Sequence, residues 1–355
     1  MKAKRLLMSI DFGASLTKVI GGIDKERWGG IGIEPEVIKI VPELLNFEAL
    51  GGNPENRLWV KRGDSCYALG HLAKSLANTT TRLKEPKVNQ AVLKVMGAIA
   101  VFKEKYDLAS HIHCSLCCVL PPGEINDRER LRGLITEVLE GGFESFGGTI
   151  KGTVTRFECR AEGTGLFIYY RTKRGPEANN MYIAVVMTGY RNLSLLNIGK
   201  GVTGTYDTSQ LGFVRLVKKV QSQVTCLVEE DILVEKLSLW KETGDDNHLK
   251  DILSVPDQLE TLKEAIKIAE ILYQEEIKAR LGENIHSKTQ EVIIGGGTAS
   301  YLKDFFREYF ADKNIYFKVT QKSFPDRLRK ICQEVRFEDV WCLWDYLIQD
   351  VKGFL

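Results

Sequence analysis

The stretch Ser9-Ile10-Asp11-Phe12-Gly13-Ala14-Ser15-Leu16-Thr17-Lys18-Val19-Ile20 decides the fold. Residues 5–10 read as a buried strand, and residues 17–22 read as a second strand returning from a short polar turn. A carboxylate therefore stands at a strand exit, ahead of a tight turn of small residues. Such a turn aims consecutive backbone N–H groups at one point, which suits a phosphate. Gly13 lets the backbone approach closely or take a positive φ. Asp11 would repel a phosphate. Its natural partner is the water shell of Mg²⁺, an ion that keeps waters and takes few protein carboxylates. By itself the segment is also what an ordinary hairpin looks like, so the rest of the chain must choose.

The chain has 355 residues, room for one large or two ordinary domains. It is 44% hydrophobic and 27% charged, as in ordinary soluble globular proteins. A net charge of +2 gives no electrostatic case for direct binding to nucleic acid or to a membrane. No apolar run is long enough for a spanning helix. The basic start reaches Asp11 without an apolar h-region, so no secretory signal is expected. Eight scattered cysteines point to a reduced, cytoplasmic setting.

Periodicity predicts further strands at 34–41, 57–60, 65–70, 112–120, 149–151 and 154–157, with helices at 71–77, 88–106 and, preceded by Asp127, through 139. Residues 79–82 read as a loop. Residues 165–170 fit either helix or strand. Residues 181–187 are a clear buried strand, 188–192 a polar turn and 193–198 the returning strand. This second strand–turn–strand stands near the middle of the chain as the first stands at its start, which suggests two halves of one duplicated design. Helices follow at 213–223, 226–240 and 258–281, the last ended by Gly282-Glu283-Asn284. A strand at 291–294 leads into Gly295-Gly296-Gly297-Thr298. A helix at 300–310, a strand at 316–319 and a helix at 336–350 complete the pattern. Strands alternate with helices in both halves, the signature of an α/β fold.

Three glycine-bearing turns thus follow apolar strands, after Ile10, Met187 and Ile294. In open α/β sheets, ligands sit beyond the carboxyl ends of strands. The triple glycine, read as lying beside a helix N-terminus, offers bare backbone to a flat base or a phosphate. Neither the dinucleotide fingerprint nor the Walker A spacing is present.

With these segments in this order, the chain resembles the superfamily of actins, heat-shock chaperone ATPases and sugar kinases. Within it, the chain is most similar to bacterial plasmid-segregation actins of the ParM/StbA type. Residues 10–18 match the first phosphate motif, and residues 183–198 occupy the second. Ile293-Ile294-Gly295-Gly296-Gly297-Thr298 matches the adenosine motif. Arg160-Ala161-Glu162-Gly163 resembles the Pro-Glu-Gly element, and Tyr67-Ala68-Leu69-Gly70 a short early strand.

The resemblance implies a two-lobed, duplicated ribonuclease H-like ATPase fold with its nucleotide cleft between the lobes. Lobe I would take residues 1–170 and lobe II residues 171–335, with a last helix, 336–355, returning to lobe I. It implies ATP, with GTP as the alternative, together with Mg²⁺ at Asp11. The first phosphate loop would be Gly13, Ala14, Ser15, Leu16, Thr17 and Lys18, with Lys18 reaching the β- and γ-phosphates. The second would be Gly189, Tyr190, Arg191 and Asn192. Gly295, Gly296, Gly297 and Thr298 would bind the adenosine, with Lys218 or Lys219 near the ribose. Glu162, with Asp11, would serve hydrolysis by orienting the attacking water.

One departure stands out. The family places Asp at the start of the second phosphate motif, where this chain has Met187. Asp11 is then the one obvious carboxylate for the metal. Arg191 is either a bidentate phosphate donor or a solvated turn residue. The functions implied are an ATP-dependent filament that moves or segregates a cargo, such as plasmid DNA held through a DNA-binding adaptor; a nucleotide-binding scaffold that hydrolyses poorly; or a small-molecule kinase.

Other candidates carry less. His111-Ile112-His113-Cys114-Ser115-Leu116-Cys117-Cys118 lacks a second ligand pair for zinc, and in a strand residues 114 and 117 face opposite sides. Trp341, Trp344 and Tyr346 read as core aromatics.

Overall fold

The computed structural model describes residues 5–45, 52–76, 87–224, 230–320, 323–331 and 334–350. The chain divides into two units, Met1–Tyr169 with Thr320–Leu355, and Tyr170–Val319. The helices of the described residues are α1 (Gly70–Leu76), α2 (Lys87–Lys105), α3 (Arg128–Gly141), α4 (Thr164–Arg174), α5 (Phe213–Gln221) and α6 (Glu230–Thr243). They continue as α7 (Asn247–Lys250), α8 (Leu259–Asn284), α9 (Lys303–Tyr309), α10 (Asp326–Arg329) and α11 (Glu334–Asp350).

The first unit is built on β1 (Arg5–Phe12), β2 (Thr17–Gly22), β3 (Trp28–Ile33), β4 (Val37–Ile40), β5 (Trp59–Arg62), β6 (Ser65–Leu69), β7 (His111–Leu120), β8 (Phe143–Ser145) and β9 (Gly148–Ala161). They form one sheet in the order β3-β2-β1-β7-β9-β8-β5-β6-β4. β1, β7 and β9 run parallel at its centre, and the other pairings are antiparallel. Central parallel strands are buried on both faces, which is why β1 and β7 read as unbroken apolar runs. Leu6, Met8, Ile10 and Phe12 pack with Val95, Ile99 and Phe102 of α2 and with Leu131 and Ile135 of α3. On the opposite face Leu7, Ile20, Cys117 and Val119 share a core with Phe337, Val340, Leu343 and Trp344 of α11. Cys114 belongs to the first core and Cys117 to the second, as alternation along a strand requires. Burial pushes both thiols well above their ordinary range.

The second unit carries β10 (Tyr182–Thr188), β11 (Leu193–Gly199), β12 (Val202–Ser209), β13 (Glu291–Gly295) and β14 (Asn314–Phe317), in the order β12-β11-β10-β13-β14. β10, β13 and β14 are parallel. Their core takes Leu216 and Val217 from α5, Ile266 and Tyr273 from α8, and Phe306 from α9.

The elements differ from the sequence reading in several places. Of the strand expected over 34–41 only Val37–Ile40 is strand, β4, and β3 before it was not expected. The pieces at 149–151 and 154–157 are one strand, β9. Residues 165–170 are helical, within α4. α8 continues through Gly282 to Asn284, since a glycine in a helix's last turn costs only about 1 kcal/mol. β12 is an unexpected edge strand. The segment from Thr320 clusters with the first unit, and Phe324 and Leu328 lie in the core around Trp344. The loop expected at 79–82 and the start of the helix expected at 226 lie outside the described residues.

Candidate functional site

In the first unit the register pairs Phe12 with Thr17 and Asp11 with Lys18, leaving residues 13–16 as the turn. Directly opposed residues of an antiparallel pair share a face. The Lys18 ammonium accordingly meets the Asp11 carboxylate in an ion pair whose side chains are only 11% and 16% exposed. Lys18 is therefore no solvated strand residue. A Cβ on Gly13 would lie 2.2 Å from the Leu16 carbonyl oxygen and 2.8 Å from Lys18 Nζ, so glycine is required by closeness rather than by φ. Among the described residues, no backbone carbonyl accepts from the amides of Gly13, Ala14, Ser15 or Leu16. Ser15 Oγ accepts from Arg336 Nη2 at 2.9 Å. The Thr17 hydroxyl at the turn's exit is buried and has no hydrogen-bond partner among the described residues.

The parallel register carries this edge across the sheet. Asp11 pairs with Val119, and Val119 with Arg160. Glu162, just past β9, is thus placed at the same sheet edge as Asp11. The Glu162 amide donates to the Leu120 carbonyl at 2.9 Å, and Gly163 follows with φ +87°. On β9, Glu158 takes hydrogen bonds from Arg156 and Arg160. Burial raises its carboxyl, but these two guanidinium groups outweigh it and hold the group below the usual range.

A further charged group at this edge was not expected from the sequence. Asp339 of α11 is 6% exposed and accepts from the amides of Gly163 and Leu166 at 2.9 and 3.1 Å. Burial above all, then the negative charges of Asp11 and Glu162, push its carboxyl up to about 7, against the two amides. The signal was a Glu338-Asp339 pair set between apolar Phe337 and Val340.

In the second unit β10 ends at Thr188 beside β13, with Met187 paired to Gly295. Met187 is half-buried. The turn 188–192 and the segment 295–298 are laced together. The Thr298 amide donates to the Thr188 carbonyl at 3.0 Å, and Thr298 Oγ1 donates to the Gly189 carbonyl at 3.0 Å. Thr188 Oγ1 donates to the Gly295 carbonyl at 3.2 Å. Gly296 has φ +93°, and a Cβ there would lie 2.4 Å from the Thr188 carbonyl oxygen. The start of α5 docks on the same turn, Phe213 and Val214 donating to the carbonyls of Gly189 and Tyr190 at 3.1 and 3.0 Å. Tyr190, Arg191 and Asn192 are half-buried in it, and Gly297 is exposed.

The triple glycine does not stand beside a helix N-terminus as expected, because α9 begins only at Lys303. Lys218 is exposed on α5. Its neighbours Arg215 and Lys219 are engaged by Glu276 of α8 at 3.1 and 2.9 Å.

A turn with open amides, a buried ammonium and an unsatisfied hydroxyl fits an anionic oxygen. Among the described residues, no group of three or more His, Cys, Asp or Glu is placed to hold a metal ion directly. Asp11 alone still suits an ion that keeps most of its water shell. No described helix is long and apolar enough to cross a membrane.

No protein-family model and no curated protein matches the chain. Solved structures do. The actin-like protein Alp7A is 13% identical, with TM-score 0.66 over 98% of this chain and 97% of that one. An archaeal actin homologue in complex with ADP is 14% identical, with TM-score 0.60 over 96% and 98%. A 15-stranded ParM filament from Clostridium botulinum is 13% identical, with TM-score 0.60 over 98% and 99%. The chain has the actin-like fold over nearly its whole length.

Proposed function

We propose that the chain is an actin-like nucleotide-binding protein that assembles with copies of itself into filaments under the control of ATP and Mg²⁺. The observation that carries this reading is the Gly13–Leu16 turn, with its open amides and with the Lys18–Asp11 pair at its strand ends. Lys18 and the turn amides would hold phosphate oxygens. The turn at Gly189 and the segment Gly295–Thr298 would hold the rest of the nucleotide. The solved structures similar to this chain include an ADP complex and a ParM filament, which supports both halves of the proposal.

Bound Mg²⁺ would neutralise phosphate charge, with Asp11 taking hydrogen bonds from its water shell. Phosphoryl transfer asks mainly for positioning and charge neutralisation. Glu162, at the same sheet edge, would orient the attacking water and accept its proton. Losing that group should cost about 10²–10⁴ in hydrolysis rate while leaving nucleotide binding intact. The near-neutral charge favours a cargo such as plasmid DNA held through an adaptor over direct DNA contact.

Met187 favours a second reading, a nucleotide-binding scaffold with weak turnover. It puts a thioether where the family's second carboxylate stands. The test is sedimentation with and without ATP and Mg²⁺, followed by electron microscopy and by phosphate release from wild type and Glu162→Ala. Nucleotide-dependent pelleting of filaments supports the proposal, and no assembly at high protein concentration refutes it. Ordinary turnover by wild type removes the scaffold reading.

A further inference from the structure

We propose that Asp339 is a positioning residue for Glu162, clamping the backbone that carries it and capping the helix that follows. The proposal rests on the reading of Glu162 given above. The peptide around Glu162 is held on both sides. Its own amide donates to the Leu120 carbonyl of β7 at 2.9 Å. The next amide, Gly163, donates to Asp339 Oδ2 at 2.9 Å, and the Leu166 amide donates to Oδ1 at 3.1 Å. One buried carboxylate therefore spans the exit of the turn and the first turn of α4, where helix amides have no carbonyl ahead of them.

The chain could not have placed this cap locally. Gly163 precedes α4 in the N-cap position, where Ser, Thr, Asp or Asn usually supplies the acceptor. Its φ of +87° lies where residues with a Cβ are strained. The acceptor must come from elsewhere, and α11 delivers it across 176 residues of sequence. Gly165 makes room: a Cβ there would lie 2.4 Å from the Asp339 carbonyl oxygen and 2.6 Å from Oδ1. Bonds from amides to a carboxylate are charge-assisted, and a negative group is favoured at a helix N-terminus. Together they fix where the Cα of Glu162 sits and which way its side chain leaves.

A carboxylate that merely stabilised α4 would lower the melting temperature without a selective effect on turnover. The test uses the full chain as wild type, D339N, E162Q and the double variant. Phosphate release with ATP and Mg²⁺ gives kcat and KM, and amide exchange is read over residues 160–168. Asn keeps the volume and one acceptor oxygen but loses the second.

D339N is expected to lower kcat about ten- to a hundredfold, with KM for ATP changed by less than about twofold. In the E162Q background it should cost nothing more, since both act on one step. Exchange at Gly163 and Leu166 should accelerate in D339N. Wild-type turnover by D339N beside a slow E162Q overturns the proposal. So does a D339N loss of the same size in both backgrounds. If E162Q turns over like wild type, or wild type does not turn over at all, the reading of Glu162 falls and this proposal with it. The wild-type and E162Q rates tell that outcome from the others. Should D339N fail to fold, exchange in the wild-type chain decides: slow exchange at Gly163 and Leu166 supports the clamp, and open-chain rates overturn it.

Discussion

Replacing Gly296 by Ala should damage the second unit far more than the same change at Gly189, although the two glycines belong to one laced pair of turns. At Gly296 the backbone has φ +93°, and the new Cβ would meet the oxygen, carbon and nitrogen of Thr188 at 2.4, 2.8 and 3.0 Å. All three are backbone atoms, so no rotamer change relieves the contact. The dihedral alone costs about 1–3 kcal/mol. Moving the segment away from Thr188 would also break the Thr298 amide bond to Thr188 and the Thr298 hydroxyl bond to Gly189. Each of those is worth about 1 kcal/mol. Together the loss is about 3–5 kcal/mol. At Gly189 the φ is ordinary, and among the described residues the only neighbour of a new Cβ within 4 Å is the Asn192 carbonyl oxygen at 3.4 Å. Alanine there also narrows the unfolded ensemble, so the net change should stay within about 1 kcal/mol. Urea unfolding, with hydrogen exchange reporting β10 and β13, measures both. If the two variants fall within about 1 kcal/mol of each other, the account of this junction is wrong.

Lys18→Met should weaken binding of a fluorescent ATP analogue by about 10- to 100-fold, the worth of a charge-assisted hydrogen bond of about 1.5–3 kcal/mol; unchanged affinity would remove the first turn from the site. Glu338 accepts from the Thr320 amide and hydroxyl at 2.8 and 2.9 Å. Burial first, then Glu334 and Asp339, raise its carboxyl from 4.5 to about 7 against those two bonds. A carboxyl raised in the folded state binds more protons there, so its contribution is full below its unfolded value and is lost as pH rises to about 7. Glu338→Gln should therefore be more stable than wild type at pH 8, by up to about 3 kcal/mol in urea unfolding, with the gap closing toward pH 4.5; a gap independent of pH would refute the shift. Gly165→Ala, a change that normally favours a helix by about 1 kcal/mol, should instead lower stability in urea unfolding by about 1–3 kcal/mol net, because α4 and α11 would have to part.

What sequence could reveal followed from burial. β1, β7, β10 and β13 are central strands, apolar on both faces, and their positions were plain. β12 was missed because Val202, Thr203, Gly204, Thr205 and Tyr206 are all exposed, leaving no inward row to mark a strand. β3 was missed because three of its six residues are glycines, which have no strand preference. The turn at Gly13 was legible because strand, turn and return follow one another without interruption from Arg5 to Gly22. The Lys18–Asp11 pair follows from hairpin register, which a sequence leaves open until the loop length is known. Asp339 was illegible for a different reason. Its partners are Gly163 and Leu166, and nothing local marks a buried aspartate in an apolar helix as another helix's cap.

α11 has a consequence for how the chain is made. Ser9 Oγ donates to the Val340 carbonyl at 2.7 Å across 331 residues, and α11 packs against Leu7 of β1 and Ile20 of β2. Translation at about 5–20 residues per second means that β1 waits on the order of tens of seconds for the helix that shelters it. Leu7 and Ile20, and from their own synthesis Cys117 and Val119, lack that helix while the second unit is being made. The part synthesised first is finished last. A nascent chain of this protein is thus a client for any factor that shields greasy surface, and a message cut short before α11 should yield aggregate.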